Sequence, residues 1–236
     1  MLFKYFATKT LKIPASFFLI MKVLGIDEAG RGPLIGPLVI AGVCIDEKHE
    51  PELKKLGVKD SKLLTAKKRR ELYNILIKKY KYHVLIVPPH DIDEAIGGTK
   101  SNLNWLEAEQ SIELINDLKA DKVIIDCPSN NVKAFKSYVK ERLLNKKINL
   151  ITEHKADLNY PIVSAASIIA KEEREQAILQ LKKRLNLNFG SGYMTDPKTQ
   201  EFLKMYWAEY PEIFRHSWAP YKQISQSKAQ KKLGEY

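Results

Sequence analysis

Residues Lys22–Val43 read KVLGIDEAGRGPLIGPLVIAGV. Two apolar runs, KVLGID and PLVIAGVCID, stand on either side of a Gly/Pro turn, the pattern of a hairpin-like pair of buried strands. The first run ends in two adjacent acids, Asp27 and Glu28. Alternation along a strand sends their side chains to opposite sides, so at least one of two like charges is carried into apolar surroundings beside Ile26. Acids kept in such a place need a countercharge.

The glycines that follow do not make a nucleotide loop. GRGPLIG is GxGxxxG rather than GxGxxG, it contains Pro33, and Pro37 and a second β run follow it instead of a helix. That context excludes the dinucleotide fingerprint, and the absence of GKS or GKT excludes a P-loop. What glycines at 30 and 32 permit is close approach of the backbone to something bulky. With Arg31 between them, a nucleic-acid backbone fits.

Outward from this pair the chain alternates. KDSKLLTAKKRRELYNILIKKY predicts a helix of about four turns, with Thr65 as N-cap and Leu72, Ile75, Leu76 and Lys79 at helical spacing. HVLIVPP is a third strand, stopped by Pro88 and Pro89, and NLNWLEAEQSIELINDLKA is an amphipathic helix. KVIIDCP and INLITEH are strands four and five, with the helix NVKAFKSYVKERLLN between them. A long helix follows Asp157, small and apolar in its first half and charged in its second, then a Gly-rich turn, a short aromatic helix and a polar tail. The expected fold class is α/β, a mixed five-stranded sheet flanked by helices, with a small C-terminal helical extension.

Asp27 and Glu28 end strand one, Asp126 ends strand four, and Asp157 follows strand five. Strand ends of an α/β sheet meet along one rim, so acids distant in sequence converge there. Four cannot all ionise without a cation. Mg²⁺ or Mn²⁺, which take oxygen ligands and suit sites completed by a substrate phosphate, are the natural choice. Asp126, before Cys127 and Pro128, and Asp157, four residues before Pro161, also fit as turn or cap residues.

At 236 residues and 44% hydrophobic, the chain can bury a substantial core, and a formal charge of +11 favours a polyanionic partner. Two cysteines without metal-ligand spacing, Cys44 and Cys127, argue against a disulfide framework and for a reducing, cytoplasmic compartment. The first twenty residues carry three lysines and no acid, but their apolar run is shorter than a signal h-region of about 7 residues and far too short to cross a bilayer. No membrane association is expected. Met21 directly precedes the strand pattern, so residues 1–20 are read as an extension whose native status is open.

In order along the chain, GIDEAGRGPLIGPLV, KDSKLL, NLN, HKAD followed by YPIVSAASIIAK, and GSGYMTDP resemble ribonuclease HII, in its archaeal style. The resemblance runs from about Met21 to Trp218. It implies a ribonuclease H-like catalytic domain over 21–185, a substrate-binding helical extension over 186–225 and a polar tail over 226–236. It implies a metal-dependent endonuclease that hydrolyses the RNA strand of RNA-DNA hybrids and nicks 5′ of ribonucleotides embedded in duplex DNA. Asp27, Glu28, Asp126 and Asp157 would hold two divalent ions for an in-line displacement leaving a 3′-hydroxyl and a 5′-phosphate. Gly30, Arg31 and Gly32 would face the 2′-hydroxyl through backbone groups, Tyr193 would stack on the sugar at the junction with DNA, and Lys62 would contact phosphate.

Other residues divide between roles. Arg215, His216 and Trp218 form a basic and aromatic group suited to a duplex backbone, with core packing the alternative for Trp218. KKRR at 67–70 reads as a solvated helix face, with phosphate contact the alternative, and His154 as a proton carrier or a simply hydrogen-bonded strand-end histidine. QKKLGEY resembles a sliding-clamp-binding peptide through Gln230, Leu233 and Tyr236, but has one terminal aromatic where that peptide has two. A folded N-terminal domain of the ribonuclease HIII kind does not fit in twenty residues, and a merely basic binding protein leaves four strand-end acids unexplained. A monomer is expected, since one chain carries all four acids.

Overall fold

The computed structural model describes residues 21–58, 64–97 and 102–233. Residues 1–20, Lys62 and Tyr236 lie outside this range. The elements run β1 (Lys22–Ala29), β2 (Leu38–Asp46), α1 (Glu50–Lys55), α2 (Ala66–Lys79), β3 (Lys81–Val87), α3 (Pro89–Gly97), α4 (Leu103–Leu118), β4 (Lys122–Asp126), α5 (Val132–Arg142), β5 (Asn149–Glu153), α6 (Ala156–Asn159), α7 (Pro161–Leu185), α8 (Pro197–Tyr206) and α9 (Ala219–Leu233).

The five strands form one mixed sheet in the order β3-β2-β1-β4-β5. β1, β2 and β3 make an antiparallel meander, while β4 and β5 run parallel to β1, as the β, α, β order of that part of the chain requires. Thr65 caps α2 by accepting from the Lys68 N–H at 3.2 Å. Pro89 opens α3 where the sequence reading had it only stopping a strand, because a missing N–H costs nothing in a first helical turn. At the other end α9 runs to Leu233, into the stretch read as a polar tail.

Alternation sorts β1 between two apolar layers. Leu24 and Ile26 pack with Ile112, Leu114 and Ile115 of α4 and Phe135 of α5. Val23 and Ala29 face the other way, onto Ile162, Ala165, Ala166 and Ile169 of α7. Each fully buried valine, leucine or isoleucine among them contributes roughly 1.5–3 kcal/mol. α7 crosses β1 at Gly25, where a Cβ would lie 2.5 Å from the carbonyl carbon and oxygen of Ile162. A third cluster joins Leu34 and Ile35, from the loop after β1, to Phe189, Phe202, Ile213, Phe214 and Tyr221. Main-chain bonds reinforce it: Arg215 N–H donates to Leu34 O at 2.9 Å and Gly36 N–H to Ile213 O at 3.0 Å. The C-terminal segment is thereby fastened to the loop that carries the glycines.

Candidate active site

Parallel pairing of β1 with β4 sets Ile26 opposite Ile125, so the next residue on each strand, Asp27 and Asp126, emerges side by side on the α7 face. β5 ends one strand further out, and Lys155, in the left-handed region at φ 57°, turns the chain into α6 and brings Asp157 back over the same rim. One carboxylate oxygen from each of Asp27, Asp126 and Asp157 lies within 4.8 Å of the other two. Main-chain donors orient them: the Glu28 N–H gives to Asp27 Oδ1 at 2.7 Å and the Ala156 N–H to Asp126 Oδ1 at 3.2 Å. Ser167 of α7 supplies Asp27 with a side-chain hydrogen bond.

Glu28 leaves β1 on the α4 side, as alternation predicts, and so stands outside that group of three. Its neighbours are Glu107 and Asp126, and burial followed by those two charges pushes its carboxyl up to about 8. Burial likewise raises Asp27, with Glu28 and Asp126 adding to the effect. Burial and mutual repulsion of this kind favour the protonated form of both acids, and a divalent cation would supply the missing countercharge. An oxygen-only donor set at this spacing fits a hard divalent ion and fits poorly a soft metal that selects sulfur or imidazole.

The glycine loop sits directly beside the acids. Gly30 has φ +87°, and a Cβ there would meet the Arg174 side chain at 2.3 Å and Pro37 O at 2.7 Å, so position 30 excludes every side chain on two counts. The Arg31 side chain turns inward, ion-paired with Glu107 and donating to Asn104 Oδ1 at 2.6 Å. That leaves its backbone, not its guanidinium, for a ligand. Gly30, Arg31 and Gly32 line a cleft of about 590 Å³ together with Glu28, Arg69, Lys171, Arg174, Ser191 and Tyr193. The Tyr193 ring, 38% exposed, lies under the Arg174 guanidinium at 5.2 Å and within contact range of Gly32.

A ribonuclease HII family profile matches residues 24–221. The chain belongs to the ribonuclease HII family. It is 44% identical over 218 residues to the ribonuclease HII of Pyrococcus furiosus, covering 90% of this chain and 95% of that one. Among solved structures it is similar to the ribonuclease H2 of Pyrococcus horikoshii, with TM-score 0.80, 44% identity, and 88% and 98% of the two chains covered. It is also similar to the ribonuclease HII of Archaeoglobus fulgidus in a structure of its complex with PCNA, with TM-score 0.76, 40% identity, and 84% and 95% coverage. This ribonuclease HII is a metal-dependent hydrolase, an endonuclease of the ribonuclease H type acting on RNA-DNA hybrids. Among the described residues no helix is long and apolar enough to cross a membrane.

Some side chains near the site differ from their sequence reading, and others follow one of two alternatives. Arg215 is fully buried, and no phosphate reaches it. Trp218 packs half-buried beside it, giving its indole N–H to Gly32 O at 3.3 Å. Arg69, expected on a solvated face, is ion-paired at 2.6 Å with both Glu172 and Glu175 of α7. His154 Nδ1 lies 2.9 Å from Cys127 O, the hydrogen-bonded alternative of its two readings. Glu107 and Arg174 were missed. Glu107 carried a signal: it shares the buried stripe of Ser111, Leu114 and Leu118, where an acid is out of place. Its Oε1 has no hydrogen-bond partner among the described residues.

Proposed function

We propose that this ribonuclease HII nicks 5′ of a ribonucleotide embedded in duplex DNA, as well as cutting the RNA strand of hybrids, leaving a 3′-hydroxyl and a 5′-phosphate. Such an activity removes misincorporated ribonucleotides and RNA primers during DNA replication and repair. The observation that carries the reading is the meeting of Gly30, Arg31, Gly32 and Tyr193 in one cleft beside Glu28. The 2′-hydroxyl is the group that separates ribose from deoxyribose, and reading it demands donors at fixed geometry with a ring to hold the sugar.

Asp27, Asp126 and Asp157 are the proposed holders of Mg²⁺ or Mn²⁺, with Glu28 completing the set from the other side of β1. When bound, divalent ions supply the countercharge, a more acidic water and stabilisation of the leaving oxygen. The chain's own part is positional. Ser167 and the Glu28 and Ala156 N–H groups fix the carboxylates, and the Arg174 guanidinium fixes the Tyr193 ring. One chain carries all four acids, which supports a monomer as the working unit.

Cleavage of a labelled duplex with one ribonucleotide, beside its all-DNA counterpart, in Mg²⁺, Mn²⁺ or EDTA, tests the proposal. A single metal-dependent nick 5′ of the ribonucleotide is expected. Asp27→Asn and Asp157→Asn should abolish it while hybrid binding persists, and near wild-type rates in either variant would overturn the metal assignment.

Gln230, Leu233 and Tyr236 are proposed to engage a sliding clamp. The PCNA complex of the Archaeoglobus fulgidus relative supports this. Deleting residues 230–236 should abolish clamp capture without loss of cleavage, and undiminished capture would refute it.

A further inference from the structure

We infer that Arg215 is a positioning residue for the ribose-reading loop, so that recognition of a 2′-hydroxyl depends on a side chain that never touches substrate. The inference rests on the proposed reading of Gly30–Gly32. Arg215 is 0% exposed, and among the described residues no carboxylate lies within ion-pair distance of it. A buried cation of this kind is costly unless its donors are satisfied. They are satisfied by a single loop. Nη2 donates to Gly30 O at 2.6 Å and Gly36 O at 3.0 Å, Nη1 to Arg31 O at 2.9 Å, and Nε to Gly36 O at 3.1 Å. Trp218, whose ring lies 4.8 Å from the guanidinium, binds the next carbonyl, Gly32 O.

Three consecutive carbonyls, at 30, 31 and 32, are thus drawn to one side. In a planar trans peptide the N–H points opposite the C=O. The Arg31 and Gly32 N–H groups therefore face away from Arg215, and Pro33 has no N–H to add. Neither of those two donors makes a hydrogen bond among the described residues. The result is a pair of oriented donors on a loop that lines the cleft, the arrangement suited to an acceptor such as a hydroxyl oxygen. The planar fork of arginine matches several carbonyls at once, whereas a lysine ammonium offers a point charge on a flexible stem.

Arg215→Lys tests this, with thermal melting and circular dichroism as folding checks. Steady-state cleavage of the embedded-ribonucleotide duplex in Mg²⁺ gives kcat, and the matched all-DNA duplex as competitive inhibitor gives Ki. Misplacing the reader is expected to lower kcat by about 30-fold, within the range for displacements near 1 Å, while Ki stays within about twofold. A residue that only fastens the C-terminal segment would leave kcat unchanged or move kcat and Ki together, and either result overturns the inference. Gly32→Ala is the control for the loop itself, since its Cβ would meet only Tyr193 Cε1 at 3.8 Å. Unchanged kcat in Gly32→Ala sinks the loop reading; lowered kcat there with unchanged kcat in Arg215→Lys sinks the Arg215 inference alone. Should Arg215→Lys not fold, Trp218→Leu keeps Arg215 and removes the Gly32 carbonyl's donor. Lower kcat with unchanged Ki is again expected, and unchanged kcat counts against the inference.

Discussion

Without metal, the acid cluster makes the protein less stable as pH rises, and Glu28 is where the effect is best read. Burial, then the charges of Glu107 and Asp126, raise its carboxyl from 4.5 to about 8, against a hydrogen bond with Asp27 and the Arg31 charge that oppose the rise. The folded chain therefore holds this proton more tightly than the unfolded chain does. Its contribution to stability is full below pH 4.5 and is lost as pH rises through about 8. At about 1.4 kcal/mol per pH unit the upper bound is ~5 kcal/mol. The proton is shared with neighbouring acids and the side chain borders an open cleft, which reduces the figure to ~2 kcal/mol. For a chain of this size that is ~4–8 °C in Tm. Glu28→Gln, uncharged at every pH, should melt ~4–8 °C above wild type at pH 8 in EDTA and within ~2 °C of it at pH 5. Millimolar Mg²⁺ or Mn²⁺ should raise the wild-type Tm at pH 8 more than that of the variant. Melting temperatures that run parallel from pH 5 to pH 8 would show that the Glu28 carboxyl is hydrated and that its raised proton affinity is wrong.

Gly25→Ala places a Cβ 2.5 Å from the Ile162 carbonyl, and helix backbone cannot yield as a side chain can. A loss of ~3 kcal/mol in urea unfolding is expected, and a loss under ~1 kcal/mol would contradict the close crossing of α7 over β1. Glu172→Ala removes a 1% exposed carboxylate from Arg69 and Arg70. Stability should fall by ~2–3 kcal/mol, less than a fully buried pair would lose because Arg70 is exposed; no change in the urea midpoint would refute the pairing. Tyr193→Ala should leave stability within ~0.5 kcal/mol of wild type and lower kcat on the embedded-ribonucleotide duplex by ~100-fold. Retained kcat would remove Tyr193 from the site.

The sheet was legible because its strands are short apolar runs bounded by glycine, proline and acid, and the acids stand where those runs stop. Their convergence was legible as a rule of α/β sheets, but the particular grouping of Asp27, Asp126 and Asp157 depends on the parallel register of β1 with β4, which no local pattern encodes. Arg215 shows the limit most clearly. In RHSW it looks like a phosphate contact, yet it is buried, because its partners are backbone carbonyls and those leave no mark in a sequence. Arg69 failed for a related reason. Its partners Glu172 and Glu175 lie more than a hundred residues away, so a run of four cations looked like an ordinary wet helix face.

On the proposed reading, chemistry and recognition share one strand end. Asp27 and Glu28 lie in the last three residues of β1, and Gly30–Gly32 begin two residues after Glu28, so covalent geometry limits the offset between acids and loop to at most about 3.3–3.6 Å per residue. The proposed cut at a fixed distance from a recognised ribose requires such an offset, and two mobile elements could not hold it. β1 is the central strand, paired on both sides by β2 and β4 and crossed by α7 at Gly25. That fixes the strand from which two of the acids project. The loop has left the sheet and its ladder of hydrogen bonds, so other contacts must hold it. The C-terminal segment holds its main chain, through the Ile35–Phe214 bridge, Arg215 and Trp218, while the Arg31 side chain is anchored on Glu107 and Asn104 of α4. Shortening the chain before residue 213 should therefore damage recognition of the ribonucleotide before it damages the acid cluster, because the sheet keeps the acids in place and nothing in the sheet keeps the loop.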